Sequence, residues 1–472
     1  MRSFILAGVG LGLSLCAAGV RADAPASAPA SPRAPASAPA LAAPSPPAPL
    51  PPPSAAPGAT RPIPRYDGRE PPPPTVGEVL LWGPRLLLLP LHLTLEYLLR
   101  RPLVALLGLV EQHHLDEYVK RAFVWRDGQA GIFPTFLYEL GLSPAVGLYA
   151  FYHDLGPGLD MHLNGVVWNR IAQARLGATL DLSDGRAANL AWNITYRQRP
   201  DQLFFGLGPA SLDANASHYW QRLVTADVGP SVAIGDLGGF RLRAAYSHAS
   251  FANGEPTGIE SVFDVANPSV VPGFLTGYGL FSTEALLALD SRSRHRQDPG
   301  SGLRLELTGA YAIDPGRAAL QFFRWGGTLS GYLDLSRRNQ VLSLVLYTSF
   351  VEPIGSAPVP FTELPALGGV DYMRGFNTRR FVSDSAITAM LDYIYPIWDN
   401  VAADLFVEAG NAFGPHLSGF ALERLHLDWG LGFRTRSRTA AFDVRLAFGT
   451  NRLDSANIGV EHVAVFVGLS HY

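Results

Sequence analysis

From Gly131 to Tyr472 the chain alternates apolar and polar residues with a period of two, in short runs separated by turns. In Phe240–Tyr246 the positions Phe240, Leu242, Ala244 and Tyr246 alternate with Arg241, Arg243 and Ala245. In Leu303–Tyr311, Leu303, Leu305 and Leu307 alternate with Arg304, Glu306 and Thr308. Phe442, Val444, Leu446 and Phe448 alternate in the same way with Asp443, Arg445 and Ala447. Successive side chains of a strand point to opposite faces, so each run is a strand with one apolar and one polar face. A soluble sandwich buries the apolar face. A membrane barrel turns it to lipid and keeps a polar lumen in which arginines are wet or paired. Period alone does not separate these two folds.

Three further features favour the barrel. Charged residues make up only 16% of the chain, while Phe (25) and Tyr (17) are plentiful. The connections alternate in length. Ser183–Gly185, Gly235–Gly239 and Arg337–Asn339 are short, whereas Arg199–Leu212, Asn253–Thr276 and Val351–Asp384 are long. Short periplasmic turns and long outer loops are the bacterial barrel pattern. The N-terminus carries Arg2, an apolar run from Phe4 to Val20, and Ala22 before an expected cut, which reads as a secretory signal over residues 1–22. The expected fold is therefore all-β: a sixteen-stranded antiparallel transmembrane barrel over residues 131–472, with an even count that places both ends in the periplasm. The longest loop, Val351–Asp384, falls between the eleventh and twelfth segments.

Ahead of the barrel lie two different segments. Residues 23–75 are mostly Pro, Ala and Ser, a composition that buries no core. They read as a disordered spacer, with a tether to peptidoglycan as the alternative. Residues 76–130 carry apolar residues at helical spacing. Arg85, Glu96, Arg100 and Arg101 interrupt them, and no uncharged run approaches the roughly 20 residues of a spanning helix. Pro84, Pro90 and Pro102 divide the segment into short amphipathic helices. These lie at the periplasmic membrane surface, brace the rim or enter the lumen.

Little in the chain points to chemistry. The single cysteine, Cys16, lies inside the signal, and the net charge of -3 gives no basis for binding nucleic acid. His113 and His114 are adjacent, and neighbours on a helix do not share a face, so no metal site is expected. There is no Gly-x-Ser-x-Gly, His-Glu-x-x-His or P-loop. The expectation is a non-enzyme without cofactors.

The candidate functional residues cluster around Arg374. Arg374-Gly375-Phe376 sits in the longest loop beside Gly368 and Gly369. If that loop folds inward, its guanidinium needs a carboxylate, because an unpaired buried charge is expensive. The segment Ala403–Gly410 supplies one, with Phe406 and Glu408 on a common inward face. Arg374 is expected to pair with Glu408 and pack on Phe406. The first strand contains Pro134, which lacks a ladder donor, and the last contains Gly468 and ends near Tyr472. These three mark a candidate weak seam between first and last strands.

The Arg374-Gly375-Phe376 tip, Phe406-Val407-Glu408-Ala409-Gly410 and Gly432-Phe433-Arg434 together resemble the BamA/TamA family of outer-membrane barrels, the bacterial surface-antigen superfamily. Leu391–Trp398 and Phe204–Gly208 add weaker similarities. The resemblance implies a loop locked to the barrel wall by Arg374, Gly375, Phe376, Phe406, Glu408, Gly410 and Arg434. It also implies a role in protein or lipid insertion or translocation at the outer membrane, with outer-membrane lipids and client proteins as partners. Here the acid is Glu408 where the family usually has Asp, and no segment ahead of the barrel has the strand–helix mix of the family's POTRA modules. A gated pore for small solutes is the alternative function.

Overall fold

The computed structural model describes residues 76–104, 121–183, 187–255, 258–292, 300–336, 339–398, 401–435 and 441–470. The expected signal, the Pro/Ala/Ser tract, His113, His114 and Tyr472 lie outside them. From Arg85 onward the described chain forms one compact body.

Sixteen strands close into an antiparallel barrel. The first eight are β1 (Ala130–Glu139), β2 (Ala145–Gly156), β3 (Leu159–Trp168), β4 (Ile171–Asp181), β5 (Ala188–Phe204), β6 (Ser217–Ile234), β7 (Gly238–Asn253) and β8 (Tyr278–Asp290). The others are β9 (Gly302–Ile313), β10 (Gln321–Asp334), β11 (Val341–Pro353), β12 (Ser385–Trp398), β13 (Val401–Phe413), β14 (His426–Thr435), β15 (Ala441–Arg452) and β16 (Val460–Ser470). Each strand pairs with its neighbour in sequence, and β16 returns to β1. Closure removes the open edges that lipid would leave unsatisfied. The loop carrying Arg374 joins β11 to β12, as the segment count expects. Strand β5 runs on to Phe204, so the first residues of the expected Arg199–Leu212 loop are ladder instead.

The period-two pattern sorts side chains as expected. In β13 the buried residues Asp404, Phe406 and Glu408 face the lumen while Val407 faces out. In β14 Asp428 faces in, and Trp429 and Leu431 face out. Several lumen charges find partners, as buried charges must. Arg243 pairs with Glu284 at 3.1 Å, Arg199 with Asp201 at 2.9 Å, and Arg175 reaches Asp227 through Asn193. No described helix is long and apolar enough to cross a membrane.

The extracellular mouth is filled by its loops. Phe361 of the β11–β12 loop packs on Phe204, Tyr219, Phe251 and Phe274, with ring centroids 5.0–5.7 Å apart. Phe361→Leu removes these ring pairs while keeping most of the apolar volume. The expected loss is roughly 1 kcal/mol of local stability, read as faster protease cleavage in residues 258–277.

The N-terminal segment departs from expectation at two of its three prolines, Pro84 and Pro102, which lie inside helical stretches instead of dividing them. Helix α1 (Val76–Leu87) contains Pro84 rather than ending there. The break falls at Leu88. Helix α2 (Leu89–Thr94) then starts with Pro90 in its first turn, where a missing N–H leaves no bond unmade. A π-helical turn, Leu95–Arg100, follows and the chain stays helical through Val104. Pro102 offers no N–H to the turn before it, which accounts for the widened ladder there.

Candidate functional site

The β11–β12 loop turns back into the lumen through a two-residue neck, Ala366–Leu367 paired with Phe381–Val382. The Phe204–Gly208 element supports the neck, with the Gly208 N–H donating to the Val382 carbonyl at 2.8 Å. Beyond the neck, Met373 adopts a left-handed conformation (φ 53°), uncommon for a side-chain-bearing residue. Its N–H donates to Glu408 Oε2, and the Arg374 N–H donates to the same oxygen at 3.3 Å. The carboxylate on β13 thus holds the turn's backbone as well as its side chain.

Three carboxylates surround the Arg374 guanidinium. Nε donates to Glu408 Oε1, Nη2 lies 2.5 Å from Asp392 Oδ1, and Nη1 lies 3.3 Å from Asp404 Oδ2. Its carbon stands 3.7 Å above the centre of the Phe406 ring. A planar fork of donors suits several acceptors at once. Burial alone would lower the Arg374 pKa, but Glu408, Asp392 and Asp404 outweigh it and raise it above the ordinary arginine value. A fourth acid, Asp428 on β14, accepts from the Gly375 N–H at 3.0 Å. A Cβ on Gly375 would stand 2.5 Å from Asp428 Cβ and 2.9 Å from the Phe448 carbonyl, so only glycine seats there. Phe376 is buried beside Phe381, His426 and His462. Its ring fills the space above Gly449, where a Cβ would meet it at 2.5 Å.

The docked tip spans more of the wall than the sequence reading assigned. Tyr372 stacks on Tyr347 of β11 at 4.1 Å. Arg445 of β15 donates to the Val370 carbonyl. Thr378 donates to Glu139 of β1 through its N–H (3.0 Å) and hydroxyl (2.7 Å). Arg380, buried near the neck, bonds Ser211 at 3.0 Å and lies 3.2 Å from Asp213 in the β5–β6 loop. One loop therefore touches both strands that flank the barrel's closing point, with Phe376 against His462 on one side and Thr378 against Glu139 on the other.

That closing point is short. Among the described residues β16 and β1 share four register pairs: Phe466 with Glu139, Val467 with Tyr138, Gly468 with Leu137, and Leu469 with Phe136. Strands β5 and β6 share fifteen. Pro134 lies two residues beyond the four described pairs and faces Leu148 of β2 on its other side, and Gly468 lies within the run.

The structure brings Arg374, Gly375, Phe376, Phe406 and Glu408 together. Gly410 sits on the same strand, where a Cβ would stand 2.7 Å from that of Thr388 in β12, so it allows close strand approach. Arg434 lies farther along β14, paired in register with Ala402 and Asp443. Of Arg434 and Arg445, the one that reaches the loop tip is Arg445, opposite Gly432. Asp392, Asp404 and Asp428 are site residues that the sequence reading did not assign; strand alternation, which turns each of them inward, is the signal that could find them. Among the described residues no group of three or more His, Cys, Asp or Glu side chains could hold a metal ion.

A family profile described as the Omp85 superfamily domain matches residues 184–466, more than half of the chain. The chain belongs to the Omp85 superfamily. Among solved structures, it is similar to BamA from Haemophilus ducreyi lacking POTRA domains 1–3, at 15% identity and a TM-score of 0.52, covering 73% of this chain and 70% of that one. It is also similar to CdiB from Acinetobacter baumannii, at 11% identity and a TM-score of 0.47, covering 72% and 59%. A search of the curated proteins gave no match. The first likeness shows a shared barrel fold. Together with the family, it makes this chain a BamA/TamA-type β-barrel of the Gram-negative outer membrane.

Proposed function

We propose that this Omp85 barrel inserts or translocates proteins or lipids at the outer membrane, by opening at the β16–β1 closure under the control of the inward-folded Arg374 loop. The observation that carries the reading is a closure of four register pairs among the described residues, with a loop in contact on both sides of it. A short ladder is weak per se, since each missing pair forgoes backbone bonds. Thr378 and Phe376 make its opening depend on where the loop sits. The family to which the chain belongs, and its likeness to a BamA barrel, point the same way. Clients would be unfolded outer-membrane or secreted chains, and the surrounding lipid would take part directly. The solute-pore alternative is disfavoured by a lumen holding the docked loop and a mouth filled by aromatic rings. The signal over residues 1–22 and a spacer role for residues 23–75 complete the proposal.

A disulfide across the closure tests it. Tyr138 and Val467 are direct partners, and opposed strand residues place their Cβ atoms about 4.5–5.5 Å apart, close enough to bridge with small adjustment. With Tyr138→Cys and Val467→Cys in reconstituted vesicles, the reduced protein is expected to speed insertion of a urea-unfolded small outer-membrane barrel. Oxidation is expected to abolish the acceleration and reductant to restore it. Equal acceleration by the locked and unlocked forms would sink lateral opening. Solute flux with no acceleration in either form would move the assignment to the pore.

A further inference from the structure

The helical segment from Arg85 to Arg101 is amphipathic in the inverse sense. Its wall-facing side carries Arg85, Leu88, Leu91, His92, Leu95 and Glu96, at helical spacing. Its outer side carries Leu86, Leu87, Leu89, Leu93 and Tyr97, and these are open. Leu86 is 60%, Leu87 80% and Tyr97 57% exposed. A helix packed on a protein in water turns its apolar stripe to the core and its polar residues outward. Here Arg85, His92 and Glu96 face the protein beside Leu88, Leu91 and Leu95, and an apolar row faces away.

The place where this helix docks explains the inversion. Tyr395 is on β12. Asp392, three residues earlier on the opposite face, points into the lumen at Arg374, and Leu391 on Tyr395's own face is open on the outer wall. Strand alternation therefore puts Tyr393 and Tyr395 on the outer wall too, yet both are buried. The helix buries Tyr395. Glu96 accepts from the Tyr395 hydroxyl at 2.5 Å, and the His92 ring lies 5.6 Å from the Tyr395 ring. Arg100 binds Glu96 at 3.0 Å and the Ile397 carbonyl at 3.4 Å, and Arg85 bonds the Leu335 carbonyl at 2.5 Å in the β10–β11 turn. The β10–β11 turn and the ends of β11 and β12 beside it are the periplasmic end of the wall, since the long loops lie at the other end.

We propose that this helix is seated in the periplasmic leaflet of the outer membrane, against the outer wall of β12, with phospholipid covering its outward face. Its apolar stripe continues the lipid-facing belt formed by Leu344 and Leu346 of β11 and Leu391 of β12, which are about as exposed as Leu93. Polar groups on and beside the stripe are already satisfied, as a hydrocarbon surround requires. The Thr94 hydroxyl donates back to the Pro90 carbonyl at 3.0 Å. The guanidinium of Arg101 stacks on the Tyr97 ring at 4.1 Å. With Arg100, it places two cations at the end of the stripe, where long basic side chains reach lipid phosphates. The occupant is phospholipid acyl chain along Leu86–Tyr97 and headgroup phosphate at Arg100 and Arg101.

Spin labels test the seat. The full-length protein with Cys16→Ser takes one label at a time at Leu86→Cys and at Leu93→Cys, in phosphatidylethanolamine/phosphatidylglycerol vesicles. Val407→Cys on the lipid face of β13 and Ala456→Cys in an extracellular loop set the lipid and water scales. Heat-modifiable gel mobility verifies that each variant has a folded barrel. Labels at 86 and 93 are expected to favour collision with oxygen over a soluble nickel chelate by the same several-fold ratio as Val407→Cys. A ratio matching Ala456→Cys would place the face in water and overturn the proposal. Low accessibility to both reagents would mean that protein covers the face, a second copy or a client, and would overturn it equally.

Discussion

Arg374→Ala is expected to free the loop tip from the wall and to destabilise the folded barrel by roughly 3–5 kcal/mol, the scale for breaking one side of a buried ionic cluster. The guanidinium bridges Glu408, Asp392 and Asp404, which sit on two adjacent strands and face one lumen. Alanine leaves all three carboxylates without a cation, and Phe406 loses the charge above its ring. Two amides still point at Glu408, but they belong to the same tip and have little reason to stay. Arg374→Lys separates charge from shape. A lysine restores one positive charge but not the planar fork, so it should recover part of the stability and little of the docking. Glu408→Gln keeps an acceptor for Met373 and should fall between wild type and Arg374→Ala. Three readouts follow the tip: urea midpoint by heat-modifiable mobility, protease cleavage within residues 354–384, and single-channel conductance. Wild type should show small flickering conductance and Arg374→Ala a large steady one. An unchanged urea midpoint and unchanged cleavage in the alanine variant would falsify the docking role.

The sequence makes legible what depends on local alternation. Burial on one face of a strand imposes a period of two, so the strand segments, the alternating turns and the inward phase of Phe406 and Glu408 can all be read without a structure. The Arg374–Glu408 pairing follows from the same phase together with the penalty for a lone buried cation. What depends on register is hidden. Arg434 and Arg445 both point inward on neighbouring strands, and which one meets the loop is decided by cross-strand offset. That offset includes an irregularity between His426 and Asp428. Residues 239 positions apart, Glu139 and Thr378, meet because the barrel closes, and no local pattern announces that. The N-terminal helices show a similar limit. Helical spacing was visible, but not that the charged side would face protein, because the sign of an amphipathic stripe depends on the solvent beyond it.

Gly375→Val should unseat the tip with every charge retained, which makes it the steric counterpart to Arg374→Ala. The backbone at Gly375 lies against Asp428 of β14 and the Phe448 carbonyl of β15, both too close for a side chain. Asp428 has no room to yield, since it also accepts from the Gly375 N–H. The Phe448 carbonyl belongs to a strand paired on both sides, so it does not yield either. The tip itself must move, at an overpacking penalty of about 1–3 kcal/mol. Moving it lifts Phe376 from Gly449 and draws Thr378 from Glu139, the contacts on the two flanks of the closure. The expected result is a stability loss smaller than that of Arg374→Ala, with equal loop cleavage and equal conductance. It should also give faster disulfide formation in the Tyr138→Cys/Val467→Cys background, if a released loop lets the closing strands breathe. Loop cleavage that stays at the wild-type rate would mean the wall accommodates the valine, and the close fit at Gly375 would then not be what seats the tip. Cleavage that rises without any change in closure reactivity would leave the docked loop intact as a structural finding but remove it as the control on the β16–β1 opening.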